Sequence, residues 1–235
     1  MIRMDLHTHS KFSDGTDLPE VLVEAGIDVC LTSIAITDHV RADSDWVWHY
    51  IDYMEEVREY YGDRIRVLSG VEAKVVDFNG TLDMPEGVED FVDIVLSAVH
   101  RVPKEDGGFL TDDEIASDGE RALNLWARAV VGAIKNPSVA VIAHPGLIMK
   151  NHGIEITEEV AEKVAKAAGG EAVAFEYNVG WGVPKGCLLN GLMRHGVSFT
   201  VGSDAHSADE LREVWGDGGA GGNIPDEIIN RLVIL

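Results

Sequence analysis

The segment MDLHTHSKFSDG places two imidazoles, His7 and His9, one residue apart behind an apolar opening. On a strand, residues i and i+2 share a face, so both rings could hold one ion. Alone, such a pair is equally compatible with ordinary surface or core histidines, and the rest of the chain must decide. Imidazole and carboxylate groups recur along it: Asp14 in SDG, Asp38 and His39 in ITDH, Glu72 in SGVEA and His100 in SAVH. They continue with His144 in VIAHPG, Glu176 in AFEYN, and Asp204 and His206 in GSDAH. No thiolate belongs to the set. Nitrogen and oxygen donors of this kind suit Zn, Mn or Fe in a hydrolytic centre better than a Cys-rich structural zinc.

These residues are too scattered for a local motif, so regular elements must gather them. Short apolar runs at Ile2–Leu6, Ser33–Thr37, Arg66–Val71, Asp93–Val99, Val139–Ala143, Ala172–Tyr177 and Ser198–Gly202 read as strands. Helical patterns fall between and after them, at Pro19–Cys30, Ser44–Tyr61, Asp112–Lys135, Thr157–Ala168, Lys185–His195 and Pro225–Leu235. Thr157 ahead of Glu158 and Glu159, and Pro225 ahead of Asp226 and Glu227, are helix-start signals. The run SVAVIAHPG is apolar almost throughout, which marks a strand covered on both faces, as in parallel sheets. Strand–helix repetition over residues 1–235 predicts one parallel α/β domain, and seven strands suggest a barrel. An open doubly wound sheet is the rival, but no Gly-rich phosphate loop follows the first strand. GDGGAGGN at Gly216–Asn223 reads as a loop. On this map every strand ends in a His, Asp or Glu, and barrels build their sites at that face.

Bulk properties narrow the function. A net charge of −22 repels polyanions, so duplex nucleic acid is not an expected partner. No apolar run approaches the roughly 20 residues of a membrane span. The N-terminus lacks a basic segment followed by an apolar one, so no secretory leader is expected. Cys30 and Cys187 alone imply no disulfide framework, and a cytoplasmic location is the expectation. Nothing here sets an oligomeric state.

The series HTH, SDG, TDH, GVE, AVH, AHPG and GSDAH resembles the PHP family, named for polymerase and histidinol phosphatase, in that family's motif order from Asp5 to His206. The resemblance implies a distorted (β/α)7 barrel with two or three divalent metal ions (Zn, Mn or Fe) at the C-terminal face. It also implies hydrolysis of a small anionic phosphate ester by a metal-activated hydroxide. His7, His9, Glu72 and Asp204 match the first ion's ligands. Glu72 would bridge to a second ion with His100 and His144, and Asp14, His39 and His206 would hold a third. Several relatives carry a histidine near Asp14, which leaves open whether two ions bind or three. Glu72 and Asp204 are thus expected to be catalytic, with Arg101 as a phosphate clamp through its forked guanidinium. Lys185 is a weaker candidate of the same kind. The alternatives are a nuclease acting on short single-stranded oligonucleotides and a non-catalytic subunit. Asp5 and Asp38 are near enough in sequence to orient imidazoles, and because adjacent strand residues face opposite ways Asp38 is expected to cap or buttress and not to ligate. Glu176 and Asn178 are pocket candidates. Trp46, Trp48 and Tyr50 are expected to pack a loop–helix junction or line an entrance, and His49, His152 and His195 to be solvated.

Overall fold

The computed structural model describes residues 3–233. Among these residues eight strands form one sheet: β1 (Met4–Thr8), β2 (Ser33–Val40), β3 (Arg66–Val75), β4 (Leu82–Asp83), β5 (Ile94–Ala98), β6 (Val141–Ile142), β7 (Ala174–Asn178) and β8 (Phe199–Gly202). Seven of them run parallel in the order β1-β2-β3-β5-β6-β7-β8, while β4 pairs antiparallel with β3. The two ends of this row meet. Asp204 N donates to His7 O (2.9 Å) and His9 N to Ala205 O (2.9 Å), with a parallel bridge between Thr8 and Ala205. The sheet is therefore nearly closed into the expected seven-stranded barrel.

Nine helices cover it among the described residues: α1 (Pro19–Asp28), α2 (Val47–Tyr61), α3 (Asp112–Ser117), α4 (Gly119–Ile134), α5 (Leu147–Asn151), α6 (Glu158–Ala168), α7 (Gly186–Arg194), α8 (Ala208–Trp215) and α9 (Asp226–Ile229). Helix α4 shows why. Ala122, Leu125, Trp126, Ala129, Val130 and Ala133 recur at three- and four-residue spacing and are all buried. Two apolar clusters result, one joining β1–β3 to α1, α2 and α8, the other joining α4, α6 and α7 to β6 and β7. No described helix is long and apolar enough to cross a membrane.

Several boundaries differ from expectation. The helix predicted over Asp112–Lys135 breaks at Asp118, whose backbone (φ −146, ψ 75) leaves the helical region while its side chain accepts from Arg121 N at 3.0 Å. One residue thus ends α3 and caps α4. The helix predicted over Pro225–Leu235 stops at Ile229, because the chain then turns alongside β8: Phe199 N donates to Arg231 O (3.0 Å) and Val233 N to Phe199 O (2.9 Å). The ends of this helix and of the strand predicted from Ile2 lie outside the described residues. Helices α5 and α8 were not expected. The Gly216–Asn223 loop contains a 3-10 turn at Ala220–Asn223.

Candidate metal centre

His7 on β1 and His9, one residue past its end, are both fully buried, and their Nε2 atoms face each other at 3.0 Å. Beside them lies Glu72, two-thirds of the way along β3, which turns one carboxylate toward five imidazoles. Its Oε1 is 2.8 Å from His144 Nε2 and 3.2 Å from His100 Nε2. Its Oε2 is 2.8 Å from His39 Nδ1, 3.5 Å from His7 Nε2 and 3.6 Å from His9 Nε2. Asp204 Oδ1 completes the group at 2.9 Å from His9 Nε2 and 3.4 Å from His7 Nε2. A carboxylate has about four lone-pair sites, so Glu72 cannot hydrogen-bond every ring that faces it. Its Oε2 and His9 Nδ1 are in fact buried without a well-directed hydrogen bond.

The electrostatics show the same crowding. Burial opposes charge on Glu72, yet His100, His7 and His144 hold its carboxyl well below the usual range. Asp204 is held low in the same way, chiefly by His7 and His9 against its burial. Burial also opposes charge on His7, but Glu176, Glu72 and Asp204 outweigh it and raise the ring well above its ordinary value. His39 and His144 are raised, against burial, mainly by Glu72. His9 goes the other way, lowered by burial and by the nearby His7 and His39 rings. Packed nitrogen and carboxylate donors with unpartnered buried atoms are the arrangement that divalent cations resolve. The residues present therefore fit such ions.

Among the described residues, four groups of donors come within ligating reach of one another: His7, His9 and Asp204; His7, Glu72 and His144; His39, Glu72 and His100; and His9, Asp14, His39 and His206. All nine metal-ligand candidates from the sequence fall into these groups. Asp14 is the outlier, exposed, with its oxygens 3.6 Å from His39 Nε2 and 3.5 Å from His206 Nε2. Two of the nine sit in left-handed backbone, His144 at φ 26 and Asp204 at φ 62. Non-glycine residues adopt this region at a cost of about 1–3 kcal/mol and persist there where the surroundings over-determine them.

Those surroundings consist of further carboxylates. Glu176 on β7 is buried, with Oε1 2.8 Å from His7 Nδ1 and Oε2 accepting from His144 N. It fits because Gly202 faces it: a Cβ there would lie 2.0 Å from Glu176 Oε1. Asp5 touches no imidazole, contrary to expectation. It accepts from Ser203 N (2.9 Å), Ser203 Oγ (2.6 Å) and Trp215 Nε1 (2.7 Å), which braces the segment carrying Asp204. Burial pushes its carboxyl up to about 6 despite these donors. Asp38 is a buttress, as expected, accepting from Ser10 N (2.8 Å), Ser10 Oγ (2.6 Å) and Ser13 Oγ (2.6 Å) in the loop after His9. That loop returns over His9 through Gly15, where a Cβ would lie 2.2 Å from His9 O, and so presents Asp14.

The remaining candidates separate. Arg101 shares a cleft of 270 Å³ with His39, Glu72 and His100, its guanidinium 5.0 Å from the Phe109 ring. Two cations not foreseen from the sequence, Arg41 and Lys74, line the same cleft. Lys185 instead lines a separate cleft with Lys150 and Cys187. Asn178 is buried and accepts from Trp181 N at 2.9 Å. Trp46 and Tyr50 pack against Phe12, and exposed Trp48 packs against Phe91. His49 is exposed and His195 pairs with Glu162 at 2.7 Å, whereas His152 lines a cleft with His100 and Arg101. Trp181, which was also missed, donates its indole N–H to Asp204 Oδ2 at 2.6 Å. Its only sequence signal is an aromatic three residues beyond the end of a strand.

The family model for the PHP domain matches residues 5–180. A protein of Acetivibrio thermocellus named "Probable phosphatase" is 29% identical over 219 residues, covering 88% of this chain and 81% of its own length. A "Probable phosphatase" of Clostridium novyi is 27% identical over 231 residues, covering 90% and 84%. Among solved structures, the histidinol phosphate phosphatase of Lactococcus lactis, complexed with Zn, L-histidinol and phosphate, superposes with a TM-score of 0.67. It shares 19% sequence identity and covers 97% of this chain and 93% of its own, a likeness of fold.

Proposed function

Because this chain belongs to the PHP domain family, we propose that it is a metal-dependent phosphoesterase that cleaves a small anionic phosphate ester. The observation that carries this reading is Glu72, a single buried carboxylate facing five imidazoles at the C-terminal face of a barrel. The phosphatase names of relatives that span most of this chain support the reaction class.

His7, His9, Glu72 and Asp204 are assigned to a first ion. Glu72, His100 and His144 are assigned to a second, and Asp14, His39 and His206 to a third. Divalent ions bound there supply charge for the phosphoryl oxygens and acidify water near neutral pH. The chain's own residues do the rest. Glu176 fixes His7 by accepting at Nδ1, which leaves Nε2 to face the centre. Arg101, with Arg41 and Lys74, offers positive charge on one wall of the adjoining cleft, where a phosphate ester can be gripped. That local charge draws a small anion at short range, although the chain as a whole carries −22. The same global charge disfavours duplex nucleic acid. Zinc is the first ion to test, given the zinc in the Lactococcus lactis structure, with manganese and iron next.

The test is metal analysis of the purified protein, combined with a hydrolysis screen over phosphomonoesters, phosphodiesters and short oligonucleotides. Bound ions and turnover of a small phosphate ester, both lost in His7→Ala, are the expected result. A chain that takes up no Zn, Mn or Fe and hydrolyses nothing refutes the reading.

A further inference from the structure

Asp204 presents its two oxygens to different partners. Oδ1 faces His9 Nε2 and His7 Nε2, while Oδ2 accepts the Trp181 indole N–H at 2.6 Å. An indole has one donor and no acceptor, and the Trp181 side chain is not buried for packing: the residue is 45% exposed. A tryptophan so placed could give its N–H to water. Here it gives it to a carboxylate of the candidate metal centre.

The loop that carries Trp181 is built to hold this arrangement. Asn178 N donates to Val183 O (2.8 Å) and Gly182 N to Asn178 O (2.9 Å), which folds residues 178–183 into a tight turn. Asn178 Oδ1 accepts from Trp181 N (2.9 Å), and Lys150 Nζ donates to Trp181 O (2.6 Å). The turn also lies directly on the segment it serves, since a Cβ on Gly180 would come within 2.4 Å of Ser203 O, one residue before Asp204. Asp204 itself is held in left-handed backbone with its amide on His7 O. Backbone and indole together leave this carboxylate little freedom to rotate.

We infer that Trp181 is a positioning residue of the metal centre: by occupying Oδ2, it fixes Asp204 to offer Oδ1 alone to the ion shared with His7 and His9. This rests on the metal reading above and adds a residue to it. Groups that hydrogen-bond a ligating carboxylate tune affinity, typically by about 10–100-fold. Trp181 should also act as an optical reporter of that ion, because the group it hydrogen-bonds is the one that changes partner.

The test uses Zn²⁺ alone, with no phosphate ester, on the full chain. Chelator competition measures the tightest Zn²⁺ affinity, and tryptophan emission is followed in the same titration. Trp181→Phe keeps a ring and removes the donor; Trp181→Gln removes the ring and restores an N–H. The expected result is a loss of about tenfold in Zn²⁺ affinity for Trp181→Phe, with partial recovery in Trp181→Gln. The Zn²⁺-dependent emission change should vanish in Trp181→Phe and persist in Trp48→Phe, whose exposed indole packs on Phe91. Circular dichroism monitors the fold of each variant, and if Trp181→Phe does not fold, Trp181→Ala at the same half-exposed position supplies the donor-free comparison. A donor-free variant that binds Zn²⁺ within twofold of the parent overturns the inference and leaves the metal reading standing. A parent chain that binds no Zn²⁺, Mn²⁺ or Fe²⁺ overturns both.

Discussion

Replacing Glu176 by Gln exchanges one oxygen for an NH2 group and leaves the side chain's volume unchanged. The site demands two acceptors there, because Oε1 takes His7 Nδ1–H and Oε2 takes His144 N–H. Because His7 is held protonated, with Nδ1–H toward Glu176, Gln supplies one acceptor too few: either amide orientation sets an NH2 against an N–H, or the ring must give up its Nδ1 proton. The side chain has little room to turn aside, since Gly202 faces it so closely that a Cβ added there would sit 2.0 Å from Oε1. An unsatisfied buried donor costs about 1–3 kcal/mol. At roughly 2–4 °C per kcal/mol for a chain of this size, the melting temperature of the metal-free protein should fall by about 2–12 °C. The effect on metal is separable. His7 loses a carboxylate that helps keep its Nε2 aimed at the centre, so Zn²⁺ affinity should drop about 10–100-fold. Thermal denaturation in chelator and Zn²⁺ competition binding measure the two quantities on one preparation. If melting falls while affinity is unchanged, Glu176 is a packing residue and the orienting argument fails. If neither changes, the hydrogen-bond assignment itself is wrong.

The metal-free and metal-loaded proteins should respond to pH in opposite directions. His7, His39 and His144 are held above their ordinary 6.5, so their contribution to metal-free stability is full below that pH and is lost as pH climbs through the raised values. His9, held low, opposes them as one ring against three. Denaturant melts in chelator should thus show stability declining above pH 6.5, whereas Zn²⁺ affinity should increase over the same range as protons cease to compete. Asp14→Ala should reduce the number of bound ions by one, counted by elemental analysis, without disturbing the buried His7–His9–Asp204 group. Arg101→Ala should raise KM for a phosphate ester about tenfold with a smaller change in kcat, as for the loss of one charge-assisted hydrogen bond. Asp118→Ala removes the cap of α4 and should cost about 1 kcal/mol in a denaturant melt while leaving metal affinity alone.

The converging imidazoles and carboxylates were legible because each follows an apolar run that only a buried strand explains, Glu72 after RVLSGV and His144 after SVAVIA, although β3 continues past Glu72 to Val75. The helix break at Asp118 was also written in the chain as an N-cap residue followed by Gly119 and Glu120, but continuous apolar periodicity masked it. Strand alternation says which face a side chain takes and not how far it reaches. Alternation from His39 thus marks Asp38 as a buttress, which it is, but gives no hint that Asp5 braces the segment carrying Asp204 instead of orienting a ring. Arg41, Lys74 and Trp181 lay beyond sequence reasoning for another reason. Their positions depend on pairings between distant segments, such as Asp83 Oδ1 accepting from Ala42 N at 2.9 Å while its Oδ2 pairs with Lys74 at 2.9 Å. Local pattern carries no trace of such pairings.

The seam where β1 meets the residues after β8 joins groups 195 positions apart, His9 and Asp204. An ion gripped by both, with His7, would be a cross-link between the first and last strands of the barrel. Drawing the ends of a loop of that length together costs an unfolded chain about 4–5 kcal/mol in configurational entropy, a toll that an ion retained through local opening would never let the chain recover. Metal loading should then govern how the barrel comes apart as well as what it cleaves. Unfolding of the loaded protein would have to start away from the seam, while chelation would let β1 and β8 part first. Amide hydrogen exchange would register this as β1 passing from the slowest-exchanging part of the molecule to one of the fastest.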